Sequence, residues 1–373
     1  MQPDVSIALV GDLILGEPEP DFFFAATRSV LQARDLVIGH VEVPHTRRGA
    51  ELAFDIPAEP SDPEHLHALG RAGFHVATLA GNHIYDFGNE GIVDTLQALG
   101  SAGVASCGAG LTLTEAQKPV QLTRRGLHIG VLSFNCAGPR DSWAAPDRAG
   151  CAYVRIVDQQ GRDITGPGAA ELRDTLPEPS SLRDMQDAIE HLARHVDIAI
   201  VSLHKGIVHT PATLAGYERP VAHAAVDAGA AIVVSHHAHI LRGIELYRGR
   251  PVFHGLGNFV TVTRALSEDN PHPTRRAWAQ RRQALFGFKP DPNYPTYPFH
   301  PEAKHALIAD LRAASSGSIE AGFLPCHIDP SGQPQLCGRD ARGQAVLDYV
   351  IDITRRAGLA AHFDWHGDRV VLG

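Results

Sequence analysis

Apolar and polar positions fall into blocks along this chain. The runs 5–10, 36–41, 76–79, 127–134, 197–203 and 231–235 are short, β-branched or apolar, and bounded by Gly, Asn, Asp or His, which predicts inner strands. Between them, 63–72, 88–102, 182–195 and 217–228 carry apolar residues at helical spacing, with Gly103 and Gly229 where helices end. Alternation of strands and helices predicts an α/β architecture. Near the end of the chain, 305–313 and 318–326 read as a strand pair and 343–357 as a terminal helix.

Two stretches break this rhythm. Residues 138–181 are rich in Gly, Pro, Asp and Ser, and residues 265–303 are rich in Pro, Arg and aromatic residues without clear strands. Both read as irregular loops, and long loops in a compact domain are commonly lids or binding elements. Within the second, Arg275, Arg276, Arg281 and Arg282 surround Trp278. Such a cluster reads first as a solvated face, and second as a contact for an acidic ligand.

The polar residues that directly follow the strand-like runs are unusual. They are Gly11-Asp12, His40-Val41-Glu42, Gly81-Asn82-His83, His204-Lys205-Gly206 and His236-His237-Ala238-His239. At the carboxyl ends of several strands they would converge on one sheet edge, where open α/β proteins hold ligands. Carboxylate, imidazole and amide oxygen together form the ligand set of Mn, Fe or Zn, so this placement predicts a metal centre. Any one of these motifs alone reads as turn chemistry; their repetition carries the argument. His209 reads as an exposed loop residue, Cys136 as a buried one, and His254 as lying at a strand end facing the same region.

Composition excludes several classes. A chain of 373 residues can bury a core without staples. The formal net charge of −9 argues against a nucleic-acid protein. The five cysteines are scattered, with no CxxC pair, so neither a disulfide framework nor a Cys-rich zinc site is expected. No apolar run approaches the roughly 18 residues that span a bilayer, and the N-terminus has no signal-like pattern. The expectation is a cytoplasmic protein without a membrane partner, with a homo-oligomer left open. No Gly-x-Ser-x-Gly elbow or Gly-rich phosphate loop points to a serine hydrolase or a P-loop enzyme.

The motifs in order, from Gly11-Asp12-Leu13-Ile14-Leu15-Gly16 through Gly81-Asn82-His83-Ile84-Tyr85-Asp86-Phe87-Gly88, His204-Lys205-Gly206 and His236-His237-Ala238-His239 to Gly255-Leu256-Gly257-Asn258-Phe259, resemble the CapA family of poly-γ-glutamate capsule synthesis proteins. That family lies in the calcineurin-like metallophosphoesterase superfamily. The resemblance implies a four-layer α/β/β/α sandwich, with residues 1–264 as its core, 265–303 as an insertion and candidate lid, and 304–373 completing the same domain. It implies two divalent ions, Mn, Fe or Zn, held by Asp12, Glu42, Asn82, His204, His237 and His239, with Glu42 bridging. His83 stands where the superfamily has its catalytic histidine, and Asp86 would orient it. His40, Lys205, His236 and His254 fall to supporting or substrate-binding roles.

Departures from the pattern shape the functional expectation. Ile14 occupies the histidine position of the superfamily's Asp-x-His motif, Glu42 stands where other members use aspartate, and Lys205 replaces an aromatic residue. His40 stands where capsule proteins carry asparagine, and it would supply the missing ligand or hydrogen-bond to one. Capsule-synthesis members generally carry an N-terminal transmembrane helix, which this sequence does not show. The resulting expectation is a soluble metal-dependent hydrolase of a small anionic substrate. It would cleave an amide-type C–N bond with a metal-activated water, the anion being gripped by Lys205 or an arginine from 265–285. The alternatives are a phosphoesterase, or a non-catalytic accessory protein in poly-γ-glutamate capsule metabolism.

Overall fold

The strand Val5–Leu15 has three partners, and their arrangement organises the molecule. Leu36–Val41 runs parallel along one side. On the other side, His305–Ala313 pairs antiparallel up to Val10, and Asn258–Val262 pairs in parallel from Asp12 onward. This is a computed structural model that describes residues 4–52, 56, 58–164, 174–268 and 270–373. Met1, Gln2 and Pro3 at the N-terminus, and parts of both loop-like stretches (165–173 and 269), lie outside the described residues.

Two large sheets are stacked. In a ten-stranded sheet the order is Phe363–His366, Arg369–Leu372, Ile319–Ile328, His305–Ala313, Val5–Leu15, Leu36–Val41, Val76–Thr78 and Ala105–Cys107, with Asn258–Val262 and Pro334–Leu336 pairing off this path. In a six-stranded sheet the order is Ile244–Tyr247, Arg250–Phe253, Ile232–His237, Ile198–Lys205, Leu127–Asn135 and Val120–Arg124.

Strand alternation sorts side chains into three cores. Val5, Ile7, Leu9, Ile38, Ile129, Val131, Ile198, Ile200, Ile232 and Val234 meet between the sheets. Ala8, Val10 and Val37 face the helical layer containing His67–Ala72 and Gly88–Ser101. Leu132, Phe134, Val201 and Leu203 face the helices Pro179–Ala193 and Glu218–Asp227. The result is the expected α/β/β/α sandwich. The terminal helix Ala341–Arg356 contributes Val346, Val350 and Ile353 to the inter-sheet core.

One segment differs from its sequence reading. The stretch 265–303 contains a regular helix, Pro273–Phe286, with Pro273 at its start and Gly287 in the left-handed conformation at its end. Its buried positions are Arg275, Ala279 and Arg282, spaced as a helical face. Hydrophobic periodicity could not reveal it because arginines occupy that face. Among the described residues, 138–178 hold short elements such as the 3-10 turn Arg140–Ser142 and the strand Gly150–Cys151, and the helix Pro179–Ala193 begins at the end of the stretch. All five cysteines are free and buried. Among the described residues no helix is long and apolar enough to cross a membrane.

Candidate metal centre

The site lies where the parallel strands of both sheets end. His40 has the parity of Leu36 and Ile38, and His204 that of Ile198 and Ile200, so both project into the space between the sheets. His236 follows Ile232 and Val234 on the same face and pairs directly with His204. The three rings pack together, with centroids of His40 and His204, and of His40 and His236, each 4.7 Å apart.

Asp12 reaches this space through a break in its strand. By simple alternation it would follow Ala8 and Val10 towards the helices, but the register with Leu36–Val41 shifts between Leu9 and Asp12, and that irregularity re-aims the side chain. Gly11 makes the break feasible, since a Cβ there would come within 2.2 Å of the Gly257 carbonyl oxygen. The Asp12 amide donates to that same oxygen at 2.9 Å, and Thr261 Oγ1 donates to the Asp12 carbonyl at 2.5 Å.

Donor atoms converge around Glu42, which is 1 % exposed. One carboxylate oxygen lies 3.6 Å from His204 Nε2 and 3.7 Å from His239 Nε2, and the other 3.6 Å from His40 Nε2. Ligand atoms of Asp12, His40, Glu42 and His204 all lie within 4.8 Å of one another. Asn82 Oδ1 and His237 Nδ1 approach His204 Nε2 at 2.8 and 3.1 Å. His236 Nδ1 and His239 Nδ1 lie 3.1 and 3.4 Å from the Asp12 carboxylate. His237 and His239 both have positive φ, 84° and 52°, an uncommon backbone state for residues with a Cβ. His237 ends the strand Ile232–His237 and His239 follows it, and both imidazoles face the cluster.

Hydrogen bonds behind the rings set their tautomers. Asn258 donates through its amide nitrogen to Tyr297 Oη, which itself donates to the Ala303 carbonyl. Asn258 Oδ1 therefore accepts from His239 Nδ1, at 2.9 Å, leaving the lone pair of His239 on Nε2, towards Glu42. Thr78 Oγ1, 3.1 Å from His40 Nδ1, donates to the Gly39 carbonyl. It thus accepts from His40, whose lone pair is likewise on Nε2. Such orientation by an outer partner is how metal-ligating histidines are held.

The electrostatics suit a cation. Burial pushes the pKa values of His40, His236 and His237 down to about 3, and burial followed by neighbouring imidazoles lowers His204 well below its usual range. These rings are neutral and able to offer lone pairs. Burial pushes the Asp12 carboxyl up, against opposing effects of His239 and His40. Asp12 Oδ1, His40 Nε2, His204 Nδ1 and His236 Nδ1 are buried and have no hydrogen-bond partner among the described residues. Buried polar atoms without partners are costly, and a divalent ion among the carboxylates and imidazoles would relieve much of that cost. The residues fit the implied metal.

A cavity of ≈ 100 Å³ opens over this cluster, lined by Glu42, Asn82, His83, His237 and His239 on the polar side. His83 Nδ1 is 2.7 Å from Asp86 Oδ2. Ile14, in place of the histidine of the Asp-x-His pattern, is part of the apolar lining.

Not every sequence candidate joins the cluster. Lys205 alternates to the other face of its strand, with Val201 and Leu203, and lies fully buried with Nζ 3.2 Å from Glu218 Oε2 and 3.2 Å from His254 Nδ1. It does not line the cavity, and its charge is committed to Glu218. His254 bonds Glu245 at 2.9 Å and belongs to this second charged group, which also contains Arg242, 3.1 Å from Glu218. The reading of the four arginines as a solvated face fails for two of them, since Arg275 is paired with Glu51 and Glu59 and Arg282 lines the cavity. His209, expected to be exposed, is half-buried in the cavity wall, its ring 5.0 Å from that of Phe286. Sequence reading gave no role to Asn258, Thr78 or Tyr297, although Asn258 stands in the motif Gly255-Leu256-Gly257-Asn258-Phe259.

Comparison with known proteins places this geometry in a family. Residues 6–263 match the model of the bacterial capsule synthesis protein family PGA_cap, and the chain belongs to that family. It is 37% identical over 202 residues to a probable polyglutamine synthesis accessory protein of Mycobacterium tuberculosis, covering 53% of this chain and 48% of that one. Against the PGA biosynthesis protein CapA of Bacillus subtilis it is 28% identical over 270 residues, covering 69% of this chain and 63% of the relative. The chain thus spans about half to two thirds of the length of these relatives. Among solved structures, the calcineurin-like phosphoesterase YfkN from Bacillus subtilis aligns over 96% of this chain and 98% of that one, with a TM-score of 0.39 and 14% identity.

Proposed function

We propose that the chain is a metal-dependent hydrolase of a small anionic molecule, cleaving an amide-type C–N bond. The observation that carries the reading is the convergence of buried ligand atoms from Asp12, His40, Glu42 and His204 beneath a cavity whose wall holds His83, itself paired with Asp86. Asp12, His40 and His239 would hold one divalent ion and Asn82, His204 and His237 a second, with Glu42, which lies near His40, His204 and His239, shared between them. Bound divalent ions supply a water of lowered pKa and polarise the scissile group. Asp86 holds the proton on His83 Nδ1, which leaves the Nε2 lone pair to accept a proton from the attacking water and pass it to the leaving nitrogen.

The cavity favours a substrate with little charge. Its lining is largely apolar and includes one guanidinium, that of Arg282. That lining suits a singly charged molecule with an apolar body and a neutral amide bond better than a phosphomonoester dianion. The accessory-protein reading draws on the name of the mycobacterial relative and on Ile14 in a ligand position. Against it stands the His83–Asp86 pair, whose ring lies at the cavity wall.

The test is a hydrolysis screen of N-acyl amino acids, glutamyl amides, phosphomonoesters and phosphodiesters, with and without added Mn, on the wild type and His83→Ala. The expected result is metal-dependent C–N cleavage that His83→Ala abolishes with metal content unchanged. Full activity in His83→Ala would remove its role, and phosphoester cleavage alone would replace the assigned reaction.

A further inference from the structure

Arg282 presents a buried cation that forms no ion pair with any carboxylate among the described residues. It is 3% exposed and donates through Nη1 to the Pro298 carbonyl. Its neighbour on the same helix face, Arg275, is by contrast bridged to Glu51 and Glu59. Glu59 also lines the cavity, but Arg275 and Asn270 engage its carboxylate. Burial lowers the Arg282 pKa to about 10, with the Glu268 carboxylate opposing. Burying an unpaired charge is expensive, and the helix Pro273–Phe286 puts one over the candidate metal centre, close enough to affect His209 and His239.

Around Arg282 the wall is apolar. Ile14, Val208, Leu266, Phe286 and Phe299 line the same cavity, with the Phe299 ring centroid 5.0 Å from that of His239. A volume of ≈ 100 Å³ is smaller than the roughly 150 Å³ that encloses benzene, so the cavity takes the end of a ligand and the remainder extends out of it. A molecule carrying many carboxylates would find one guanidinium and several greasy side chains.

We propose that the cavity is a binding site for an apolar-bodied monocarboxylate of the N-acyl amino acid kind, with its carboxylate on Arg282 and its apolar body against Phe286 and Phe299. This rests on the hydrolase reading only for the position of the scissile amide; the binding itself requires no turnover. Arg282 is a specificity-determining residue, and bidentate guanidinium–carboxylate geometry accounts for choosing acid over amide.

The experiment is calorimetric titration of the full chain as purified with 3-phenylpropionate, its amide 3-phenylpropionamide, and glutamate. Wild type is expected to bind the acid at least about 10-fold more tightly than the amide, as a charged hydrogen bond implies, and more tightly than glutamate. Arg282→Gln should erase the acid preference with amide binding retained, Arg282→Lys should keep part of it, and Phe299→Ala should weaken acid and amide alike. The wild-type comparison stands even if a variant fails to fold. An acid preference that survives Arg282→Gln, a preference for glutamate, or no binding of the acid would overturn the proposal. Acid binding together with no metal-dependent C–N cleavage in the hydrolysis screen would overturn the hydrolase reading alone, and metal-dependent hydrolysis without acid binding would overturn this site alone.

Discussion

His83 and Asp86, three residues apart, face each other across 2.7 Å between Nδ1 and Oδ2, with the ring at the cavity wall and the carboxylate behind it. A buried carboxylate in that position fixes both the ring plane and the tautomer. Replacing Asp86 by Ala is expected to lower kcat on the order of 10- to 100-fold while leaving bound metal unchanged. The pH profile should also shift, since the proton on Nδ1 is no longer held. Kinetics against pH, with metal content measured in parallel, checks this; loss of metal together with activity would mean that Asp86 serves the cluster instead.

Removing metal should destabilise the fold. An ion that binds only the native state at about 100 times its Kd adds roughly 2.7 kcal/mol of stability, so chelation should lower the Tm and Mn should restore it. Asp12→Asn and His204→Ala remove ligand atoms from the cluster and should blunt the Mn-dependent rise in Tm. A chelator-insensitive melting curve in the metal-loaded wild type would contradict the assignment of these ligands.

The second buried charge group is structural. Burial pushes the Glu218 carboxyl up, but Arg242 and Lys205 outweigh it and hold the pKa down to about 2; Glu245, beside His254, is also lowered to about 2. A depressed carboxyl pKa contributes stability that is complete above the usual value near 4.5 and is lost as pH falls towards 2. Glu218→Gln leaves Lys205 and Arg242 buried without their partner and should cost about 3–5 kcal/mol at neutral pH. Urea denaturation between pH 3 and 7 should show the wild type losing its advantage over this variant as acid is added.

Gly11 is the tightest approach between the first strand and the turn before Asn258. Gly11→Ala would force the Gly257 carbonyl aside, since the new carbon would meet it at 2.2 Å. Overpacking of this kind costs about 1–3 kcal/mol. The displaced Asp12 should also weaken metal retention, which thermal melts and metal analysis would report together.

Much of this was legible because the inner strands are buried on both faces. The runs 36–41 and 305–313 match observed strands, and others differ by a few residues at their ends. The clustering of Asp12, Glu42, Asn82, His204 and His239 followed from polar residues placed after apolar runs, and His40 and His236 prove to be packed within the same group. What stayed hidden depends on long-range contact. The parallel pairing of Asn258–Val262 with the first strand joins residues far apart in sequence. Lys205 looked like a substrate contact, but strand alternation buries it with Glu218. The 273–286 helix buries arginines, so its inward face carried no apolar signal.

Elemental analysis of the purified protein, wild type beside Glu42→Gln, bears most directly on the metal centre. The arrangement around Glu42 predicts two equivalents of a transition metal per wild-type chain, falling to one or fewer in Glu42→Gln. A wild-type chain that retains no metal even after incubation with Mn, Fe or Zn would contradict the metal centre and the hydrolase built on it.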